Sequence, residues 1–319
     1  MNNSILVTGG AGFIGSHMVD RLIKEGFDLR VLDNLSSGRL ENLAHHGNSI
    51  KVIIADLKKP EEILSNIKGV NAIFHFAANP EVRVSSTNPE IHFNENIVTT
   101  FNLLEAMRKK DIKQLVFASS SSVYGEPNII PVDENSPVKP TSVYGASKAS
   151  CESLIHAYSK LYGIRAVVLR YANVVGSRLR HGIVWDFVNK LKANPKELEV
   201  LGDGTQVRSY IYINDAIEAT LLAWKRSSNG FDVFNVGSED WISVDQVAKI
   251  VIDTMKLTNV KMLHKPLANG IGWLGYVKRV AIRIDRLKDI GFKPRLGSAD
   301  SIKYTTISLN EDINKIPHY

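Results

Sequence analysis

The chain has 319 residues, a single cysteine and a formal net charge of +6, with its basic residues spread along the length rather than massed. That length allows one large domain or two modest ones, no apolar run approaches the ~18 residues needed to cross a bilayer, and Cys151 alone makes neither an internal disulfide nor a metal cluster. No basic run is interleaved with aromatics, so nucleic acid is not an expected partner; the absence of a leader pattern, with the lone cysteine, predicts a cytoplasmic protein.

Ile5-Leu-Val7 reads as a strand entering a buried sheet. The glycines that follow fit both Gly10-x-Gly12-x-x-Gly15 and Gly9-x-x-Gly12-x-x-Gly15, and Phe13 to about Lys24 has amphipathic helical spacing. A strand feeding a tight turn at a helix N-terminus leaves bare backbone N–H groups, and these with the helix dipole favour a pyrophosphate. Leu29 to Asp33 reads as a second strand, ending in an acid 18 residues beyond Gly15. That is close to the spacing for a carboxylate that accepts from an adenosine ribose. A carboxylate there repels a 2′-phosphate, so NAD is favoured over NADP in spite of Arg39 nearby.

Lys51 to Ala55 is a third strand running into Asp56-Leu57, where a side chain reaches toward an adenine edge. Ala72 to Ala78 is a fourth, with small residues at its end that let a cofactor lie close. Glu90 to Lys110 is a long helix with Ile97, Phe101, Leu104 and Met107 at helical spacing. Leu115 to Ala118 is a fifth strand running into four serines. Tyr144 to Tyr162 is a second long helix, and Ala166 to Leu169 a sixth strand. Strands alternating with helices imply right-handed crossovers and a doubly wound parallel sheet of Rossmann type, with ligands beyond its carboxyl ends.

After residue 175 the rhythm loosens. Short strands (Leu198 to Leu201, Val207 to Ile213, Val233 to Val236) mix with helices (Ile183 to Leu191, Asp215 to Trp224, Val244 to Met255, Asp300 to Asn314). The expected division is a nucleotide-binding part over residues 1–175 and a smaller mixed α/β substrate lobe over 176–319, with later segments returning to the sheet.

Tyr144-Gly-Ala-Ser-Lys148 carries the chemistry. At i and i+4 on a helix, Tyr144 and Lys148 share a face. A phenol of ordinary pKa near 10 is a poor base at neutral pH, and a cation one turn away together with a positive nicotinamide ring would stabilise its phenolate. Ser120, at the end of the fifth strand, faces the same cleft and can bind the substrate oxygen that exchanges a proton. No metal is expected: His45 and His46 read as loop histidines with no third ligand at metal spacing, and His75 and His181 as packing or hydrogen-bonding groups. Trp185 and Trp224 read as helix core residues, and Cys151 as a buried apolar-like side chain.

Together these pieces resemble the extended short-chain dehydrogenase/reductase family, and within it the nucleotide-sugar epimerases. The similarity rests on Thr8 to Gly15, Asp33-Asn34, Asp56-Leu57, His75 to Ala78, Asn96, Ser120 to Gly125, Tyr144 to Lys148, Arg170 to Asn173 and Gly202 to Arg208. It implies that Ser120, Tyr144 and Lys148 are catalytic. It implies NAD as cofactor, held by Gly9, Gly12, Phe13, Ile14, Asp33, Asn34, Ser37, Gly38, Asp56, Leu57, Phe76, Ala77, Ala78, Asn96, Tyr144, Lys148 and Tyr171. The substrate side takes Ser120, Ser121, Ser122, Tyr144, Asn173 and Arg208, the last two on the diphosphate, which a guanidinium fork suits. The reaction implied is 4-epimerisation of a UDP-hexose, UDP-galactose to UDP-glucose. The two long helices near 90–110 and 144–162 would pair with their mates in a homodimer. UDP-N-acetylglucosamine or UDP-glucuronate as substrate, and a non-catalytic NAD-binding regulator, stay open as alternatives.

Two segments refine this. Dehydratases and decarboxylases of the family carry a Glu immediately before Val-Tyr-Gly, and the 4,6-dehydratases an Asp before that; Ser121 and Ser122 stand here and cannot supply an elimination's extra acid and base. The late loop often reads Arg-Gly-Trp-x-Gly-Asp in the family, whereas this chain has Ile271 for the arginine and Tyr276 for the acid. A lost phosphate contact there costs roughly 1.5–3 kcal/mol unless Lys278 or Arg279 replaces it.

Overall fold

Alternation along the first strand sets the architecture. The structure is a computed structural model that describes residues 4–228, 230–267, 270, 272 and 277–310. In β1 (Ser4–Thr8) Ile5 and Val7 pack into one core and Leu6 into another, and none of the three is more than 1% exposed. A strand buried on both faces belongs inside a sheet covered by helices on each side. Helix α1 (Phe13–Lys24) presents Met18, Val19 and Leu22, on one stripe, to the Ile5 and Val7 face.

The next strands are β2 (Asp28–Asp33), β3 (Lys51–Ile54), β4 (Ala72–His75), β5 (Gln114–Ser120) and β6 (Arg165–Tyr171). Between them run α2 (Pro60–Asn66), α3 (Glu90–His92), a π-helical stretch at Phe93–Val98, α4 (Thr99–Lys110) and α5 (Val143–Tyr162). The rest of the chain forms β7 (Asn173–Val175), α6 (Gly182–Ala193), β8 (Glu197–Leu201), β9 (Val207–Arg208), β10 (Tyr210–Tyr212), α7 (Ile213–Arg226) and β11 (Phe231–Val236). It ends with β12 (Ile242–Ser243), α8 (Val244–Thr254), β13 (Lys261–Lys265), β14 (Arg279–Val280), α9 (Asp285–Asp289) and α10 (Ser298–Asn310).

Seven strands make one parallel sheet in the order β11-β6-β5-β4-β1-β2-β3. The chain is thus an α/β protein with a doubly wound, Rossmann-like sheet, and its order reverses between β1 and β4. Crossovers leave that point in opposite directions, which opens a crevice beyond the strand carboxyl ends. A third core, including Val184, Phe187, Leu198, Val247 and Ile302, gathers elements from the second half beside that crevice.

Several elements differ from their sequence reading. The fourth strand stops at His75, because the chain bends past Gly9, where an added Cβ would stand 2.6 Å from the Ala77 nitrogen. The stretch expected as one strand from Val207 to Ile213 breaks at buried Ser209, whose hydroxyl meets Ser238 Oγ at 2.9 Å; β9 pairs with β12 and β14, but β10 with β7. The expected helix from Glu90 to Lys110 carries a π-helical insertion that turns Phe101 outward, 44% exposed, while Leu104 and Met107 stay buried. Trp185 and Trp224, expected in the core, are both only half-buried, Trp224 packing on Phe74 with ring centroids 5.1 Å apart. The last helix begins at Ser298, and the end expected for it lies outside the described residues, as do Ile271 and Tyr276.

Candidate active site

The glycine turn is built for close approach. Gly12 is the N-cap of α1 and brings no side chain to the first-turn amides. Gly9 holds φ at +65°, and a Cβ on Gly15 would lie 2.2 Å from the Gly9 carbonyl oxygen, so neither position accepts alanine without the turn moving. Asp33, at the end of β2, accepts hydrogen bonds from Ala11 N at 2.9 Å and Leu35 N at 2.8 Å. Each carboxylate oxygen keeps a further lone pair for a ribose hydroxyl. Burial pushes this carboxyl up, against the two backbone bonds.

From the turn a cavity of about 930 Å³ runs past the ends of β1, β4, β5 and β6 to the second half of the chain. All residues expected at cofactor and substrate line it except Gly38 and Asn96. Gly38 backs the Asp33 carboxylate, where a Cβ would meet Oδ1 at 2.7 Å. Asn96 is 1% exposed; its Oδ1 accepts from Asn79 N at 2.8 Å and its Nδ2 donates to Ser147 Oγ at 2.8 Å, so it braces the helix behind the wall. Residues not anticipated also line the cavity, among them Glu81, Arg178, Arg180 and Tyr210. Arg178 carried a signal visible only in the fold, a positive φ of 64° on a bulky residue.

Ser142 caps α5 by accepting from Gly145 N at 3.1 Å, and Tyr144 N donates to Ser85 Oγ at 3.1 Å, which fixes the start of the helix. One turn on, Lys148 is 4% exposed and donates to the Ala118 carbonyl at 2.8 Å, 4.9 Å over the Phe117 ring. Burial lowers this ammonium to about 8, with Cys151 and Glu152 pulling the other way. Burial likewise pushes the Tyr144 phenol up to about 12, opposed by a hydrogen bond with Ser120. The helical spacing alone has the lysine drawing the phenol toward phenolate. Instead the ammonium is engaged by Ala118, and in the unliganded protein the phenol keeps its proton at neutral pH.

Ser120 ends β5, and its Oγ accepts from Ser122 N and donates to Ser122 Oγ, both at 3.1 Å. Beneath it Ser119 donates to the Glu152 carboxylate, which Arg170 clamps through Nη2 at 2.6 Å and Nε at 3.1 Å. Arg170 Nη1 reaches Tyr124 OH at 3.0 Å, and that hydroxyl donates to Asn235 Oδ1 at 2.7 Å. This buried network ties β5, α5, β6 and β11 together below the cavity.

On the far wall Asn173 Nδ2 donates to the Ser209 carbonyl at 3.1 Å. The Arg208 guanidinium is held by the carbonyls of Val207, Val277 and Lys278. Lys278, a candidate to replace the missing late-loop arginine, instead pairs with Asp203 at 2.9 Å. His75, buried between Thr8 and Thr100, is lowered to about 3 by burial and stays neutral. His45 and His46 do find a third group in the fold: Asp20 of α1 lies 2.9 and 2.7 Å from their Nε2 atoms.

Comparison with known proteins places these features in context. Residues 5–237 match the model of the NAD dependent epimerase/dehydratase family. A Methanocaldococcus jannaschii protein, provisionally named a UDP-glucose 4-epimerase, is 39% identical over 306 residues, 94% of this chain and 96% of its own. Among solved structures, a UDP-galactose 4-epimerase is 44% identical with a TM-score of 0.87, covering 96% of this chain and 98% of its own. The Thermus thermophilus UDP-glucose 4-epimerase in complex with NAD is 33% identical with a TM-score of 0.87, over 97% of this chain and 99% of its own.

Proposed function

The chain belongs to the NAD-dependent epimerase/dehydratase family, and we propose that it interconverts UDP-galactose and UDP-glucose by NAD-dependent 4-epimerisation. The observation that carries this reading is one cavity lined by the bare glycine turn, Asp33, Ser120, Tyr144 and Lys148, with serines at both positions where eliminating relatives hold carboxylic acids. We take residues 1–175 as the cofactor part and 176–319 as the substrate lobe, with α7 and β11 completing the sheet layers.

The wall fits NAD. The uncapped first turn of α1 suits the pyrophosphate, the spare lone pairs of Asp33 suit the adenosine ribose diol, and the missing Cβ atoms of Gly9 and Gly15 let the turn close on itself and on Ala77. NAD held there would supply a reversible hydride acceptor for sugar C4. Tyr144 removes the proton from the 4-hydroxyl while Ser120 hydrogen-bonds the same oxygen. The positive charge of a bound cofactor would offset the burial that holds the phenol at about 12, while Lys148 stays on the Ala118 carbonyl one turn away. Tyr144 then returns the proton when the 4-keto sugar is reduced on its opposite face. Asn173 and Arg208 take the diphosphate side, the guanidinium held in place by three carbonyls.

We further assign a homodimer through the two long helices. Phe93 and Phe101 on the α3–α4 run and Leu161 on α5 are 54%, 44% and 71% exposed, apolar area that a mate would cover. No described helix is long and apolar enough to cross a membrane. The lone, buried Cys151 supports a reducing cytoplasmic setting.

Purified, NAD-loaded protein is expected to interconvert UDP-galactose and UDP-glucose without added reductant. Absence of conversion with any UDP-hexose overturns the reading. Val280, a small side chain on the cavity wall, makes UDP-N-acetylglucosamine the second substrate for the same assay.

A further inference from the structure

We propose that Asp20, His45 and His46 form a binding site for a divalent transition metal of the zinc type, on the outer side of α1 and separate from the reaction cavity. Two adjacent residues ordinarily send their side chains apart. Here the two imidazoles lie with ring centroids 4.0 Å apart, and both Nε2 atoms aim at the same oxygen, Asp20 Oδ1, at 2.9 and 2.7 Å. Each of the three residues offers a ligand atom, and these atoms lie within 4.8 Å of one another. Two imidazoles and one carboxylate make the donor set that zinc and cobalt(II) take in three-ligand sites, with water in the fourth place.

A tetrahedral centre with bonds of about 2.0–2.1 Å spreads its ligand atoms to roughly 3.3 Å, so the present contacts need open by only about half an ångström. The His45 side chain is 48% exposed and can move that far, while His46, at 11%, and Asp20, at 23%, are more firmly held. The second carboxylate oxygen is not spare: Arg178 Nη2 donates to Asp20 Oδ2 at 2.9 Å. A hydrogen-bonded partner of this kind orients a ligating carboxylate. Neither histidine nor Asp20 lines the cavity, but Arg178 does, so the same carboxylate joins the metal site to the cavity wall.

The test uses the full chain without a histidine tag, treated with chelator and retaining its dinucleotide, titrated with Co²⁺ and followed by visible absorption. One equivalent of Co²⁺ is expected to give a tetrahedral d–d spectrum, displaced by Zn²⁺. In the His45→Gln, His46→Gln double variant the affinity should fall at least 100-fold, with bound NAD and epimerase turnover unchanged. Zn²⁺ should raise the unfolding temperature of the parent protein and not of the variant. No spectrum at millimolar Co²⁺, or equal binding by the double variant, overturns the proposal and leaves a hydrogen-bonded cluster only.

Discussion

The imidazole of His92 stands edge-on to the phenol ring of Tyr144, centroids 5.6 Å apart at 66°, with neither of its ring nitrogens hydrogen-bonded. A fully buried imidazole without partners costs stability, since each unsatisfied polar atom forfeits its water. Replacing His92 with Phe keeps an aromatic edge against Tyr144 and removes that cost. We expect His92→Phe to raise stability by about 1 kcal/mol in urea unfolding at pH 7. Burial lowers the His92 pKa below its unfolded value. The unfolded chain therefore binds the extra proton, parent stability is lost as pH falls below about 6.5, and the advantage of the variant should widen toward pH 5. A variant less stable than the parent at both pH values would show that the imidazole is satisfied after all.

Asp33 has two tasks, since its carboxylate also ties down Ala11 and Leu35. Asp33→Ser should weaken NAD binding at least tenfold and narrow the preference for NAD over NADP, read by equilibrium titration of cofactor-stripped protein. NAD binding as tight as in the parent would remove Asp33 from the ribose.

Glu152 and Arg170 are buried together, with side chains 8% and 7% exposed. Removing one partner leaves the other charge stranded, at a cost of about 3–5 kcal/mol. Glu152→Ala should lose about that much in urea unfolding, and Glu152→Met with Arg170→Met should recover most of it. A loss below about 1 kcal/mol for the single variant would mean that Tyr124 OH and the Glu134 carbonyl suffice to hold Arg170.

What could be read in the chain was what is local. The turn from Gly9 to Gly15, the acid ending β2 and the four-residue spacing from Tyr144 to Lys148 each write their geometry into a few consecutive residues. Alternating strands and helices then dictate a parallel sheet and the position of its crevice. What could not be read depends on distant partners. Strand β13 is mostly exposed and shows no buried alternation, so only its pairing with β8 defines it. Asn96 looked like a cofactor ligand by motif, but Asn79 and Ser147 claim its side chain. The Lys148 ammonium shares a helix face with Tyr144, yet the Ala118 carbonyl, thirty residues away, decides where it points. His45 and His46 gained their third group only when α1 brought up Asp20, 25 residues earlier.

The central claim is that a hydride leaves sugar C4 and returns to the same carbon. UDP-galactose deuterated at C4, converted by the NAD-bound protein in ordinary water, tests it directly. UDP-glucose with the deuterium retained at C4, and none in the solvent, is the predicted result. Deuterium washed into water, or product protonated at C4, would contradict it.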